Sequence, residues 1–140
     1  DEPKETKETL IKDKNGITWL HTGDMGSMDN KGLIYYCSRI KRMIITNGYN
    51  VYPSYIEELI AKNEYVFQSA VIGVSHPYKG EVAKAFVVLK EGIKPSLEVK
   101  RSINKYLKQN LANYAIPQDI EYVDGLPMTL VGKVSYKDLH

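Results

Sequence analysis

The sequence is poor in the features that mark several large functional classes. It holds a single cysteine, Cys37, and three histidines, with no CxxC pair and no His/Cys cluster. Neither an internal disulfide nor a structural zinc site is therefore expected, and a reducing, cytoplasmic setting fits best. Long hydrophobic runs are missing: stretches such as Ala85 to Leu89 fall far short of the roughly 18 apolar residues of a spanning helix, and the polar opening DEPKETKE is no signal peptide. No membrane span is expected. Charge of one sign is missing too, since 19 Lys+Arg against 17 Asp+Glu leave a net charge of +2. The basic residues are scattered, so no nucleic-acid partner is expected. The absence of a Gly-x-Ser-x-Gly elbow and of a His-Glu-x-x-His helix removes the usual footholds of serine hydrolases and zinc proteases. No internal repeat or low-complexity tract is evident.

What is there is a chain of 140 residues, 43% hydrophobic and 26% charged, enough for one respectable core or two small ones but too little for a large enzyme. It begins with Asp1 instead of Met, which suggests a piece of something longer. The charged opening through Lys14-Asn15-Gly16 reads as a surface helix or loop closed by a turn. Two β-type runs follow, ITWLHT from Ile17 and LIYYCSRI from Leu33, and the intervening Met28-Asp29-Asn30-Lys31-Gly32 suits a turn that would pair them. Met43 to Thr46 and Tyr49 to Tyr52, split by Asn47-Gly48, predict a tighter hairpin with a type I′ turn.

Pro53 suits a helix start, and Ile56, Leu59 and Ile60 then share one face of a helix running to about Asn63. Val66 to Val74 and Val82 to Leu89 are rich in β-branched residues and predict buried antiparallel strands. Ser96 is a good N-cap for a second helix with Val99, Ile103, Tyr106 and Leu107 as its apolar stripe. Ile120 to Val123 predicts a further strand, and Gly125 to Gly132 a loop. The expected fold is α+β, helices layered on a small sheet with an N-terminal β-hairpin, after a β-rich opening segment.

Individual chemical signals divide between bland and functional readings. Gly132-Lys133 invites a phosphate-loop reading, but Pro127 and Val134 stand where that loop needs Gly and Ser or Thr. Lys133 is then either an exposed lysine after a turn glycine or a mobile cation that approaches an anionic reaction centre. Thr22-Gly23-Asp24 is either an ordinary Asx turn, the commoner outcome, or a carboxylate held to accept bonds from a vicinal diol such as ribose. His21 and His76 read as packing and turn residues. Ser38-Arg39-Ile40-Lys41-Arg42 is a basic linker between packed units, or a hinge whose cations contact phosphate or ribose. Tyr35, Tyr36, Tyr49, Tyr52 and Tyr55 read as core and interface fillers, with a platform for a base or a pantetheine arm as the alternative.

Order makes these signals specific. Leu20-His21-Thr22-Gly23-Asp24, the run from Ser38 through Asn47-Gly48-Tyr49 to Pro53, Glu57-Glu58, and Pro127 to Gly132-Lys133 together resemble the last three sequence motifs of the adenylate-forming ligases. That superfamily includes acyl-CoA synthetases, peptide-synthetase adenylation domains and beetle luciferases. The resemblance covers the chain from about Thr18 onward, with motif order and spacing intact.

The resemblance implies a mechanism: ATP and a carboxylate give an acyl-adenylate and pyrophosphate, and the acyl group then passes to a thiol, usually that of CoA. It also implies an organisation, with residues 1–40 as the β-rich tail of a large N-terminal adenylation domain, a hinge near Lys41, and residues 42–140 as a mobile C-terminal domain. The phosphate loop and acyl pocket would lie upstream, so this chain alone is not expected to be active. Asp24 and Arg39 match the nucleotide-binding positions, Lys41 the hinge, Lys133 the catalytic lysine of adenylation, and Gly48 and Tyr49 the loop lining the thiol tunnel. The family often carries a further lysine where this chain has Ile45, so no catalytic role falls there. Ser38 stands where Gly or Asp is common.

The implied cofactors are ATP/AMP and CoA, with Mg entering through ATP on ligands outside this chain and no metal site within it. The implied partners are the N-terminal domain and a carboxylic acid. TWLHTGD and RMIITNGYNVYPSYIEE look most like acyl-CoA synthetases acting on medium to long chain fatty acids. A fatty acyl-AMP ligase, or a peptide-synthetase adenylation domain loading a carrier protein, is the alternative enzyme. A non-catalytic binding module is the alternative of another class, and the intact Lys133 argues against it.

Overall fold

The computed structural model describes residues 2–140; residue 1, where the expected N-terminal tail begins, lies outside the described residues. The chain divides into two compact units, one ending at Lys41 and the other spanning Arg42–His140.

In the first unit a short helix, α1 (Pro3–Thr9), starts with Pro at its first turn and buries nothing. Two hairpins follow. β1 (Leu10–Lys12) pairs antiparallel with β2 (Thr18–Leu20), with Ile11 opposite Trp19. β3 (Asp24–Met28) pairs antiparallel with β4 (Ile34–Arg39), with Asp24 opposite Arg39 and a bulge between Met25 and Gly26. The expected pairing of the 17–22 run with the 33–40 run does not form. Each closes instead on the short segment across its own tight turn, where the shorter loop lowers the closure entropy slightly and an aspartate braces the turn.

The two turns share one design. Asp13 Oδ1 accepts the N–H groups of Asn15 at 2.9 Å and Ile17 at 3.0 Å, and Asp29 Oδ1 accepts those of Lys31 at 2.8 Å and Leu33 at 3.0 Å. The second carboxylate oxygen takes the Trp19 indole N–H at 3.0 Å in one hairpin and the Tyr35 hydroxyl at 3.1 Å in the other. Gly16 and Gly32 close the turns at φ 82°, a left-handed conformation in which any side chain would be strained. The Trp19 N–H holds the Asp13 carboxyl below its usual 3.8, and the Leu33 N–H does the same for Asp29. Little of this unit is buried: Trp19, Ile34, Tyr35 and Tyr36 all lie exposed. Tyr35 and Tyr36 thus leave the expected core, as do Tyr49 and Tyr55 in the second unit.

The second unit is a five-stranded sheet. β5 (Ile44–Thr46) and β6 (Tyr49–Val51) form the predicted hairpin. Asn47 at φ 50° and Gly48 at φ 80° supply the two consecutive positive angles that a type I′ turn requires. β7 (Val66–His76) and β8 (Gly80–Leu89) form the long antiparallel centre. On the free side of β8, β5 pairs at Gly80, while β9 (Asp119–Tyr122) runs parallel along residues Lys84 to Val87. α2 (Pro53–Ala61) and α3 (Leu97–Asn110) cover one face, with Ile56, Leu59, Ile60, Val99, Ile103 and Leu107 meeting Val71, Ala85 and Val87. The Ser96 hydroxyl caps α3 by accepting the Val99 N–H at 3.2 Å, as the sequence predicts.

The other face is covered by the segment after β9. Leu126 and Leu139 pack on Ala70, Phe86 and Val88, with Val134 and Tyr136 beside them. The segment is braced internally by the Ser135 N–H to the Pro127 carbonyl at 2.8 Å and by a hydrogen bond from the Ser135 hydroxyl to Asp138, and it is tied to β8 by Lys84 Nζ to the His140 carbonyl at 2.9 Å. This covering segment carries Lys133.

Candidate functional site

Asp24 and Arg39 face each other at the open end of the β3–β4 ladder, and Arg39 Nε meets Asp24 Oδ1 at 2.7 Å. The preceding turn is built by Thr22, whose Oγ1 accepts the Asp24 N–H at 3.2 Å, and by Gly23 at φ 75°. The Asp24 carboxylate is therefore not consumed in an Asx turn. It stands partly exposed beside a guanidinium, an arrangement that leaves acceptor oxygens for a diol and N–H donors for an anion.

Lys41 lies in the 3-10 turn Ile40–Arg42, exposed and last in the first unit. The basic run is less loosely anchored than the sequence suggests. Arg42 opens the second unit with its Nη2 on Glu57 Oε1 at 2.6 Å, a longer contact to the Val71 carbonyl at 3.4 Å, and its guanidinium carbon 3.5 Å over the Tyr136 ring. Glu57 Oε1 also accepts the Val71 N–H at 2.8 Å, so one half-buried ion pair joins the start of the second unit to α2, β7 and the covering segment. Burial, together with the negative charge of Glu57, pushes the Tyr136 phenol up.

In the β5–β6 hairpin, Gly48 sits at the turn and Tyr49 follows with its ring stacked on Tyr114 at 4.4 Å between centroids and 13° between planes. Both rings remain partly exposed, so the stack presents an aromatic edge next to the Asn47-Gly48 turn. Tyr114 went unnoticed in the sequence, since its partner is distant along the chain. Lys133 ends a tight turn in which the Thr129 N–H meets the Lys133 carbonyl at 2.6 Å and the Gly132 N–H the Thr129 carbonyl at 2.9 Å. Its own N–H donates to Thr129 Oγ1 at 3.1 Å. The backbone of Lys133 is thus fixed, while its ammonium makes no ion pair or hydrogen bond among the described residues. Among the described residues there is also no group of three His, Cys, Asp or Glu able to hold a metal, and no helix is long and apolar enough to cross a membrane.

The structure thus brings Asp24 to Arg39 in the first unit and Tyr49 to Tyr114 in the second, and presents Lys133 on a separate hydrogen-bonded turn. Residues 55–133 match the AMP-binding enzyme C-terminal domain family. The chain belongs to that family. A long-chain-fatty-acid CoA ligase of Bacillus subtilis is 42% identical over 94% of this chain and 22% of its own length. An acetyl-coenzyme A synthetase of the same organism is 37% identical over 83% of this chain and 20% of its own. The crystal structure of ATP-bound MatB from Rhodopseudomonas palustris superposes with a TM-score of 0.82 at 34% identity, covering 96% of this chain and 25% of that one. The α+β architecture expected from the sequence is thus that of adenylate-forming enzymes. The chain spans about a quarter or less of the length of these relatives.

Proposed function

We propose that this chain is the C-terminal part of an AMP-forming acyl-CoA ligase that acts in the cytoplasm. The observation that supports this most is the family match together with the fold shared with an ATP-bound relative over nearly the whole chain. In the first half-reaction a carboxylate oxygen attacks the α-phosphorus of ATP, and pyrophosphate leaves. In the second, the CoA thiol gives up its proton and attacks the acyl carbon, and AMP leaves. The missing partner is an N-terminal domain bearing the phosphate loop and the acyl pocket, and Mg arrives with ATP on ligands of that domain.

In this reading each local geometry has a task. Asp24 accepts hydrogen bonds from the ribose hydroxyls while Arg39 orients it and approaches the nucleotide. Lys41 is the pivot between units. Lys133 brings a mobile point charge to the carboxylate and α-phosphate oxygens, where it stabilises the developing negative charge. Gly48 and Tyr49, with Tyr114 beneath, line the path of the CoA thiol arm. The acyl substrate is a fatty acid, on the likeness of TWLHTGD and the 42–58 stretch to fatty-acid enzymes. The curated relatives include both a long-chain and an acetyl ligase, so chain length must be assayed.

The test is exchange of labelled pyrophosphate into ATP, driven by a panel of carboxylic acids, on the longer protein that contains this chain and on the 140-residue chain alone. Exchange by the former, with medium or long chain acids preferred, and none by the latter is expected. In the longer protein, Lys133→Ala should lower exchange by about 10² to 10³ yet still convert supplied acyl-adenylate and CoA to acyl-CoA. Exchange by the isolated chain, or wild-type exchange in the lysine variant, would overturn the reading.

A further inference from the structure

We propose that Thr129 is a positioning residue for Lys133, a neutral acceptor that locks the turn without placing an anion beside the ammonium. The inference rests on the adenylation role of Lys133 given above.

Three turns in this molecule follow the same plan, Asp13 to Ile17, Asp29 to Leu33 and Thr129 to Lys133. In each, the first residue's N–H meets the fifth residue's carbonyl and the fourth residue's N–H meets the first residue's carbonyl. In each, the fourth residue is a glycine at positive φ, 82° at Gly16 and Gly32 and 75° at Gly132. And in each, a side-chain oxygen of the first residue accepts the N–H of the fifth, at 3.0 Å from Ile17, 3.0 Å from Leu33 and 3.1 Å from Lys133. The first residue is what differs.

At Asp13 and Asp29 the second carboxylate oxygen is satisfied by an aromatic donor six residues on, Trp19 or Tyr35. The equivalent residue after Thr129 is Ser135, which is buried and whose hydroxyl is already committed to Asp138. A carboxylate at position 129 would have no such donor. It would also lie four residues from the cation that must meet a carboxylate and a phosphate, attracting the ammonium and repelling both reactants. Threonine keeps the bond that fixes the fifth residue and omits the charge. The same turn plan that stabilises two hairpins in the first unit is therefore used, with threonine in place of aspartate at its first position, to present a reactive lysine.

The experiment uses the longer protein and four variants, Thr129→Val, Thr129→Ser, Thr129→Asp and Lys133→Ala. Adenylation is followed by pyrophosphate exchange, thioester formation from supplied acyl-adenylate, and the protection of the Lys133 amide by hydrogen exchange. Thr129→Val removes only the acceptor, so it should lower the adenylation kcat by about three- to tenfold, deprotect the Lys133 amide, and leave thioester formation and ATP KM close to wild type. Thr129→Ser should restore both. Thr129→Asp should keep the amide protected, as Asp13 and Asp29 do for their turns, yet lose adenylation at least as severely as Thr129→Val. Wild-type adenylation in Thr129→Val, or equal loss of both half-reactions, overturns the inference while leaving Lys133 in its role. Wild-type adenylation in Lys133→Ala overturns the role itself, and the inference with it.

Discussion

Replacing Arg42 by methionine should destabilise the second unit well beyond what a surface lysine or arginine would. The methionine stem keeps the packing under Tyr136 but removes the guanidinium that contacts Glu57 at 2.6 Å and lies 3.5 Å over the ring. Both partners of the ion pair are largely withdrawn from solvent, with side-chain exposures of 21% for Arg42 and 16% for Glu57, so screening does not erase their interaction as it does for exposed pairs. A hydrogen bond between charged groups contributes about 1.5 to 3 kcal/mol, and a partly desolvated cation–π contact about 0.5 to 2 kcal/mol. Allowing for the residual exposure, the loss should be about 2 to 4 kcal/mol, a large share of the roughly 5 to 15 kcal/mol that holds an ordinary domain together. Glu57→Gln keeps an acceptor for the Val71 N–H and should cost less, about 1 to 2 kcal/mol. Because the two changes remove one shared interaction, the double variant should fall short of their sum by about 1 to 2 kcal/mol. Urea unfolding of the 140-residue chain, followed by far-ultraviolet circular dichroism, measures all three. A loss under about 0.5 kcal/mol for Arg42→Met, or strict additivity, would show that the pair is a surface ornament and that the start of the second unit is not tied to α2 and β7.

Three other outcomes follow from the same geometry. Asp24→Ala in the longer protein should weaken ATP binding about tenfold or more, read by calorimetric titration, while barely changing the stability of this chain, since its partner Arg39 is 60% exposed. Asp13 and Asp29 should titrate below 3.8 by carboxyl NMR, and Trp19→Phe should raise Asp13 back toward that value, since the indole N–H is its largest stabilising bond. With folded values depressed, the contribution of these carboxylates to stability is present above pH 3.8 and is lost as pH falls through the folded value. Ser96→Ala should cost about 1 kcal/mol in thermal or urea unfolding by leaving the Val99 N–H uncapped.

Local chemistry made the second unit legible in the sequence. Asn47-Gly48 carries its turn type with it, Pro53 and Ser96 start helices for reasons confined to one turn of chain, and the runs rich in β-branched residues in β7 and β8 announce burial. Pairing in the first unit was not legible, because β3 is Asp-Met-Gly-Ser-Met, a run with little β propensity that becomes a strand only by lying across the Asp29 turn from β4. For the tyrosines, bulk pointed to core or interface positions; Tyr35 and Tyr49 lie outside the core, and their exposed rings make a turn bond and a stack. Of the proposed site, the residue types and their order were visible in advance, and the supports were not. Arg42 reaches Glu57, Val71 and Tyr136, partners 15 to 94 positions away that no local pattern relates. Thr129 could have been found, since a Thr or Asp three residues before a glycine recurs at 13, 29 and 129.

The two coverings of the central sheet are unequal, so the second unit should open in stages. The helical face is a broad cluster with α2 and α3 each closed by its own ladder of hydrogen bonds. The opposite face is held by a narrower apolar contact, by the Tyr136 ring under the Arg42 guanidinium and by Lys84 Nζ on the His140 carbonyl, while the bridge between Met128 and Val134 lies within the segment itself. Amides from about Leu126 onward should therefore exchange through a low-energy detachment, while those of β7, β8 and α3 wait for global unfolding. Lys133 rides on the part that detaches first, so mild heat or denaturant should abolish the activity of the longer protein at a point where its secondary structure is still intact.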